Sequence, residues 1–515
     1  MRIFMKTTGS IWSPSEPSNS CGSSVLILIS FLLFVSPSLA QAQFTYTTNT
    51  GGTSITITGG PTGALNIPGS INGLFVTSIG AGAFVGPYFS PDVLLTSVTI
   101  PDTVTNIGDY AFYNCPNLTE VILSNGLIAI GVDAFSEDDA LSSIRIPGSV
   151  SNIGDGAFEN CTSLTNVSLS ETLTNIGSGA FESCSNLTSI IIPCSVVAIG
   201  TNAFEYCTGL TNATISYGLA NIGPYAFYGC RGLTNIIIPG SVSNVGEGAF
   251  GLSSLINLTI SNGVSVIGDV AFGWSAVLTS VSFPPSVRSI GLQAFCLCKS
   301  LTNVTFSYGL TNIGLSAFAG CPITSLCLPA SLLSCGEGAF AGCSFGSLSI
   351  NGGFSGDYTF DNCTNLTNVT IGAGVTNLAF SMFAYCNSLT NVFFQGNAPA
   401  ASGDPEDGTL VFYSPQICYY LPGTTGWSNT YQEVPAVLWN PLIQTGNGNF
   451  GVQNNQFGFD ITGTPAIPIV VEASTNLANP VWTALTNVTL TNGLFHFSEP
   501  LQAGSPARYY RIGSP

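Results

Sequence analysis

The pair Ala-Phe ends at Phe112, Phe135, Phe158, Phe181, Phe204, Phe227 and Phe250 at intervals of 23 residues, and it continues through Phe272, Phe295, Phe318 and Phe340. A fixed period in this range dictates a solenoid, because a unit this short cannot bury its own apolar face and must stack on its neighbours. Weaker copies stand at Thr359-Phe360 and Met382-Phe383, where one interval shrinks to 20. An Ile-Gly pair begins five residues before each Phe from Ile79-Gly80 to Ile313-Gly314, with Val245-Gly246 as the variant. The count comes to about fourteen turns. Each turn opens with an apolar-x-x-apolar-x-apolar run such as Leu164-Thr165-Asn166-Val167-Ser168-Leu169. That spacing predicts a short strand with Leu164, Val167 and Leu169 inward, so that stacked turns share one parallel sheet. Ile-Gly then predicts a bend, and Ala-Phe a short helical or irregular segment inserting a small and a large residue into the interior.

A second periodicity overlies the first. The residue ending the strand alternates between Pro101, Pro147, Pro193, Pro239 and Pro284 and the interleaved Ser124, Ser170, Ser216, Ser261 and Ser307. The unit of duplication is therefore two turns. Proline has no amide donor, so the sheet is expected to end at that column.

Taken together, the pattern Leu-Thr-x-Val-x-Ile-Pro-x-Ser-Val-x-x-Ile-Gly-x-x-Ala-Phe-x-x-Cys resembles the BspA-like leucine-rich repeat over residues 65–395. The resemblance implies a curved solenoid of secreted or cell-surface type, without common catalytic residues, that binds host or matrix proteins, other cells or glycans. Thr359-Phe360 and Met382-Phe383 depart from the pattern, and irregular turns are expected there.

The ends read differently. Arg2 and Lys6 in a polar lead, the apolar run 25–35 and the small residues around Ala40 and Ala42 form a secretory signal over 1–42. The apolar run is shorter than the roughly 20 residues a spanning helix needs, so no membrane insertion is expected after cleavage. Residues 43–64 alternate at period two around Gly51-Gly52 and predict a capping hairpin. From Gly396 the pattern breaks; Val411-Phe412 and Cys418-Tyr419-Tyr420-Leu421 predict terminal strands. The run Tyr420-Leu421-Pro422-Gly423-Thr424-Thr425-Gly426-Trp427 is similar to segments that close such repeat arrays, which places the C-terminal cap and linker at 396–443. Alternating runs from 457 onward predict a small β-sandwich over 444–515.

Composition narrows the function. Only 7% of residues are charged, with 8 basic against 26 acidic, so nucleic acid is excluded as a partner. Lysine occurs only at Lys6 and Lys299 and histidine only at His496, which removes the raw material for most metal sites and for nucleophile-histidine arrangements in the repeats. His496, between Phe495 and Phe497, reads as a solvent-facing strand residue. Glu159, Glu182 and Glu205 follow the repeat Phe in consecutive turns. Paired carboxylates serve glycosidases or calcium sites, but with no cleft in view this column reads as a solvated ridge. Glu137-Asp138-Asp139 and Asp404-Pro405-Glu406-Asp407 read as exposed loops.

Ten cysteines fall three residues after the repeat Phe: Cys115, Cys161, Cys184, Cys207, Cys230, Cys298, Cys321, Cys343, Cys363 and Cys386. Asp138, Ser253 and Ser275 take the same place in other turns. The column reads as a buried small-residue site with free thiols; disulfides between adjacent turns are the alternative if the backbones approach within about 7 Å.

No cofactor or catalytic site is expected. The favoured functional surface is the outward face of the shared sheet, carrying Thr119, Glu120, Thr165, Asn166, Thr188, Thr211, Asn212, Thr234, Asn235, Thr302 and Asn303. Rows of hydroxyls and amides about 4.8 Å apart suit an extracellular protein or a polysaccharide. Such rows also solubilise a sheet without like-charge repulsion, which leaves a structural spacer of an envelope layer or matrix as the second reading.

Overall fold

The turn spanning residues 187–209 shows how 23 residues close on themselves. Leu187, Ile190, Ile192, Val196, Ile199, Ala203, Phe204 and Cys207 all point inward and are essentially fully buried. The next turn repeats them in register, with Ser189 opposite Asn212 and Ile192 opposite Ile215 in parallel pairing. The computed structural model describes residues 44–513 apart from 87–89, 353–355, 403–410, 414–416 and 502–506. The export segment 1–42 and the acidic run Asp404-Pro405-Glu406-Asp407 lie outside the described residues.

The molecule is a β-solenoid of 23-residue turns followed by a small β-sandwich. Two parallel ladders run along it where the sequence predicts one. The strands of the Leu-x-x-Val-x-Ile column, such as Asn166–Ser168 and Asn212–Ile215, pair in groups of two to six. Ile-Gly is not merely a bend. Pairs such as Asn152–Ile153 and Asn175–Ile176 build the longer second ladder, part of a 15-stranded sheet. Its glycines are needed for close approach: a Cβ on Gly177 would lie 2.6 Å from the Gly154 carbonyl carbon, and one on Gly200 2.6 Å from that of Gly177. Backbone packs directly on backbone there, while the Gly177 amide donates to Ile153 O at 3.0 Å.

Proline closes the first ladder as expected. The Ser216 amide donates to Ile192 O at 3.1 Å and that of Ser261 to Ile238 O at 3.0 Å, whereas the interleaved Pro193 and Pro239 have no hydrogen to offer.

The Ala-Phe segment is neither helical nor irregular. Residues two before and two after each Phe sit in the left-handed region, as at Gly156 (φ 60°) and Asn160 (φ 57°), or Asn202 (58°) and Tyr206 (55°). The alternation turns every second amide toward the next turn: Gly156 donates to Ser178 O, Phe158 to Ala180 O and Asn160 to Glu182 O, all at 2.8–2.9 Å. The amides between them close three-residue turns, such as Glu159 to Gly156 O at 2.9 Å. A third side of the solenoid is thereby stitched without strand geometry.

Inside it the phenylalanines form one stack. From Phe84 through Phe112 and onward to Phe383 and Phe412, successive ring centroids are 5.0–5.8 Å apart, close to the strand spacing. Phe412, expected in a terminal strand, is instead the last ring of this column and bridges to Phe383. The stack therefore contains fifteen rings, one per turn, and each contact between neighbouring rings adds about 0.5–1.5 kcal/mol beyond burial.

Both ends of the core are covered. Strands Thr45–Thr48 and Ser54–Gly59 form an antiparallel hairpin whose second strand pairs with Leu74–Ile79. At the other end, Ile417–Tyr420 and Val434–Leu438 extend the first ladder, and Trp427 packs on Tyr420 and Phe394 with centroids 5.0 and 4.8 Å away. The sandwich sets Leu442–Gln444, Gly451–Gln453, Gln456–Thr462 and Leu494–Pro500 against Pro468–Ser474, Thr483–Thr489 and Tyr509–Gly513.

Left-handed positions filled by side-chain-bearing residues carry a cost that glycine would relieve. Val270, at φ 56°, occupies the place that Gly156, Gly179 and Gly248 fill in other turns. Val270→Gly is expected to be neutral or stabilising by up to about 1 kcal/mol, after the entropic cost of glycine. The reverse change, Gly248→Val, also drives a Cβ within 2.5 Å of the Tyr225 ring and is expected to lower Tm. Thermal denaturation of the two variants checks both signs.

Candidate functional site

The first ladder presents alternate side chains to solvent. In strand Asn235–Ile238 the outward residues are Asn235 and Ile237, with Ile236 and Ile238 buried. Register carries this along the array, giving a column of Glu120, Ser143, Asn166, Ser189, Asn212, Asn235, Asn257, Ser280 and Asn303. Beside it runs a second column that includes Ile122, Arg145, Ser168, Ile191, Thr214 and Ile237. Between strands Glu120–Ile122 and Asn303–Thr305, Glu120 and Arg145 are the charged side chains at these outward strand positions. Ile122, Ile191 and Ile237 are 48%, 62% and 63% exposed, which gives the face apolar contact points that the sequence reading overlooked.

The predicted site residues divide into two kinds. Threonines just before the strands are exposed but direct their hydroxyls along the stack to the preceding turn: Thr119 Oγ1 donates to Thr96 O, Thr165 to Ser142 O, Thr188 to Thr165 O and Thr211 to Thr188 O, at 3.0–3.2 Å, and Thr302 reaches Thr279 O at 3.5 Å. The same bond recurs on the second ladder, from Thr174 to Ser151 O and Thr311 to Arg288 O, so it belongs to stacking and not to one face. Thr234 differs, its Oγ1 accepting from Asn235 Nδ2 at 2.8 Å. Glu120, Asn166, Asn212, Asn235 and Asn303 are exposed on the face, where Asn235 also accepts from Asn257 at 2.6 Å.

The cysteine column is buried with free thiols. Cys161, Cys184, Cys207 and Cys230 donate Sγ–H to the carbonyls of Phe135, Phe158, Phe181 and Phe204 at 3.1–3.2 Å. Cysteine suits the place because it is compact, apolar and carries one weak donor for a buried carbonyl with lone-pair capacity to spare. Burial raises these thiols well above their ordinary pKa, which keeps the donor hydrogen in place.

Asp138 corrects one expectation. Read as part of an exposed loop, it is instead fully buried in the cysteine column; Asp139 beside it is exposed and Glu137 half-buried. Its Oδ1 accepts the Cys115 amide at 2.8 Å, and Oδ2 has no partner. Loss of hydration raises its pKa well above the usual range, opposed by the Cys115 amide bond and helped to a lesser degree by repulsion from Asp139. The glutamate column is likewise less solvated than a ridge. Glu159, Glu182 and Glu205 are half-buried, and burial raises all three pKa values, with repulsion from Glu182 adding to the shift in Glu159 and Glu205. Among the described residues no group of three or more His, Cys, Asp or Glu side chains is arranged to hold a metal ion.

His496 is exposed on strand Leu494–Pro500, and its Nδ1 lies 2.6 Å from Oδ1 of the buried Asp460. Asn447 and Asn449 donate to the other oxygen at 2.5 and 2.7 Å. These bonds, Asn449 first, hold the Asp460 carboxyl below its ordinary pKa. The arrangement is a satisfied loop anchor and contains no nucleophile.

Concavity appears where the face meets the terminal domain. Phe393 and Tyr419 occupy outward strand positions, yet they are 4% and 3% exposed because the sandwich rests on them. Together with Phe459, Ile461, Ile469 and Val471 they form one apolar cluster, and Trp439 Nε1 donates to Pro468 O at 2.8 Å across the junction. A cleft of about 500 Å³ opens beside this contact, with Ser349 and Thr370 on the solenoid wall and Glu472 and Arg511 on the sandwich wall.

Such a fold is that of a leucine-rich repeat scaffold with an exposed parallel-sheet face. A family model for the BspA type leucine rich repeat region matches in six copies over residues 77–211, 198–323 and 288–400, and the chain belongs to that family. A leucine-rich repeat protein from Bacteroides ovatus is 26% identical, with a TM-score of 0.50, over 68% of this chain and 93% of its own. A leucine rich cell surface protein from Faecalibacterium prausnitzii is also 26% identical, with a TM-score of 0.43, over 71% and 95%. No curated protein matches the chain.

The buried carboxylate yields a signed prediction. Since the folded-state pKa of Asp138 lies above the ordinary 3.8, the carboxyl destabilises the fold at neutral pH, and the penalty shrinks as pH falls below the raised value and vanishes near the ordinary one. Asp138→Asn keeps an acceptor without the charge. It is expected to raise Tm at pH 7 and to lose that advantage below about pH 4, as read by denaturation across pH.

Proposed function

We propose that this chain is a secreted or cell-surface binding protein without catalytic activity, and that its outward sheet face recognises an extracellular protein or glycan. The carrying observation is the face itself: successive strands expose Asn, Ser and Thr with few charges, interrupted by Ile122, Ile191 and Ile237. Uncharged hydrogen-bonding groups mixed with apolar contact points suit a neutral extended partner, since specificity comes from placed polar groups and affinity from desolvated apolar ones. Family membership and the signal-like segment 1–42 support an exported location. The sole histidine sits in the terminal domain bound to Asp460, which supports a non-catalytic role for the repeats.

The structural-spacer reading is favoured by one observation, the internal use of the threonine hydroxyls. A ladder that stitches its own turns needs no ligand to explain it.

The two readings separate by substitution. Thr188→Val removes the bond to Thr165 O and is expected to cost about 0.5–1.5 kcal/mol in stability while leaving binding unchanged. Asn212→Trp, on an exposed position, is expected to leave Tm unchanged and to weaken capture of matrix proteins or polysaccharides on a biosensor surface. Concentration-dependent self-assembly of the chain with no capture of either class would select the spacer.

A further inference from the structure

We propose that the cleft between the last solenoid turns and the terminal sandwich is a seat for a neutral, polyhydroxylated glycan segment. This deepens the sheet-face reading and rests on it, because the cleft lies at the C-terminal end of that same face.

Threonines just before the strands of the last turns direct their hydroxyls to the preceding turn, as they do along the rest of the array. The Thr390 hydroxyl donates to Thr367 O at 3.1 Å and that of Thr367 to Gly346 O at 2.9 Å. The outward strand positions differ from these threonines, and at the end of the face they border a concavity. Among the described residues the hydroxyls of Ser347, Ser349 and Thr370 find no hydrogen-bond partner, and all three border the same 500 Å³ space. Opposite them, the Arg511 Nε donates to Glu472 Oε2 at 2.6 Å, while the guanidinium lies 4.5 Å over the Trp482 ring. Only one of the five guanidinium hydrogens is used in that bond, and Glu472 retains a second oxygen. The walls therefore offer hydroxyls, a pinned fork of donors and a spare carboxylate acceptor, all convergent on one concavity. A few polar groups bordering a cleft, set beside the half-buried aromatic side chain of Trp439, are the general make-up of a small-ligand site.

Charge decides the ligand class. The arginine and the glutamate neutralise each other, so the cleft carries no net charge that would select an anion or a cation. A partner that satisfies unpaired hydroxyls and also meets aromatic carbon must alternate hydroxyl edges with C–H faces, as a neutral sugar does. The six-stranded ladder leading into the cleft can guide a chain of such units. Peptide recognition would use backbone pairing instead, along the one-sided edge strand Tyr509–Gly513.

The test uses the full chain and three soluble uncharged polysaccharides, a β-glucan, a mannan and a galactan, titrated calorimetrically. At least one is expected to bind, and Ser349→Trp, which fills the cleft from an exposed position, is expected to weaken it by about tenfold or more with Tm unchanged. Asn166→Trp, far along the open face, is expected to weaken binding by a smaller factor than Ser349→Trp. Ser349→Ala, which removes the hydroxyl without filling the cleft, is expected to weaken binding by a smaller factor, and full affinity in it would overturn the hydroxyl contact. Loss of affinity in Asn166→Trp but not in Ser349→Trp would overturn the cleft and keep the sheet-face reading. Binding indifferent to both changes would overturn both. No binding of any of the three polysaccharides, or binding only of an extended peptide that pairs with residues 509–513, would overturn the glycan assignment.

Discussion

Everything in this molecule depends on one requirement, that each 23-residue turn lie flat on the next with its backbone in register. Three sides of the solenoid meet it differently. One uses short strands, a second uses the Ile-Gly pairs where glycine packs on glycine, and the third uses the alternating left- and right-handed residues around Ala-Phe. In each case an amide points along the solenoid axis and finds the carbonyl of the adjacent turn. The phenylalanine stack follows from this spacing, because rings held one per turn about 5 Å apart can pack face to face in an offset manner.

Once register is fixed, a choice made in one turn becomes a column. That multiplies benefits, as in the cysteines that each supply a small donor to a phenylalanine carbonyl. It multiplies costs as well: Glu159, Glu182 and Glu205 stack like charges in half-buried positions and are all shifted toward protonation. Low charge content over the remaining columns is consistent with that physics, since an ionised side chain repeated every turn would repel its own copies. Hydroxyls and amides escape the problem by bonding to one another or to the backbone.

The terminal sandwich changes what the repeat array offers. Without it, the face would be a flat ribbon of exposed side chains. By resting on Phe393 and Tyr419, it buries two aromatic residues that a uniform solenoid would leave in water and creates a corner where polar groups converge. The cap beneath, built on Trp427, Tyr420 and Tyr431, closes the solenoid core independently of this contact.

How much of this was legible in the sequence follows from the same logic. Period, inward residues, proline-terminated strands and the buried cysteine column are all encoded in which residue type recurs at which offset, and a recurring offset has one physical solution in a stack. Asp138 shows the limit of reading locally: its neighbours look like an exposed acidic loop, but its column places it in the core. The threonines show another, since side-chain composition cannot say whether a hydroxyl faces a ligand or the carbonyl of the preceding turn. Sequence by itself determined the solenoid, because periodicity acts between neighbouring turns and needs no distant contact. Only the tertiary structure decided where the sandwich docks, because that contact joins residues far apart in the chain that share no repeat.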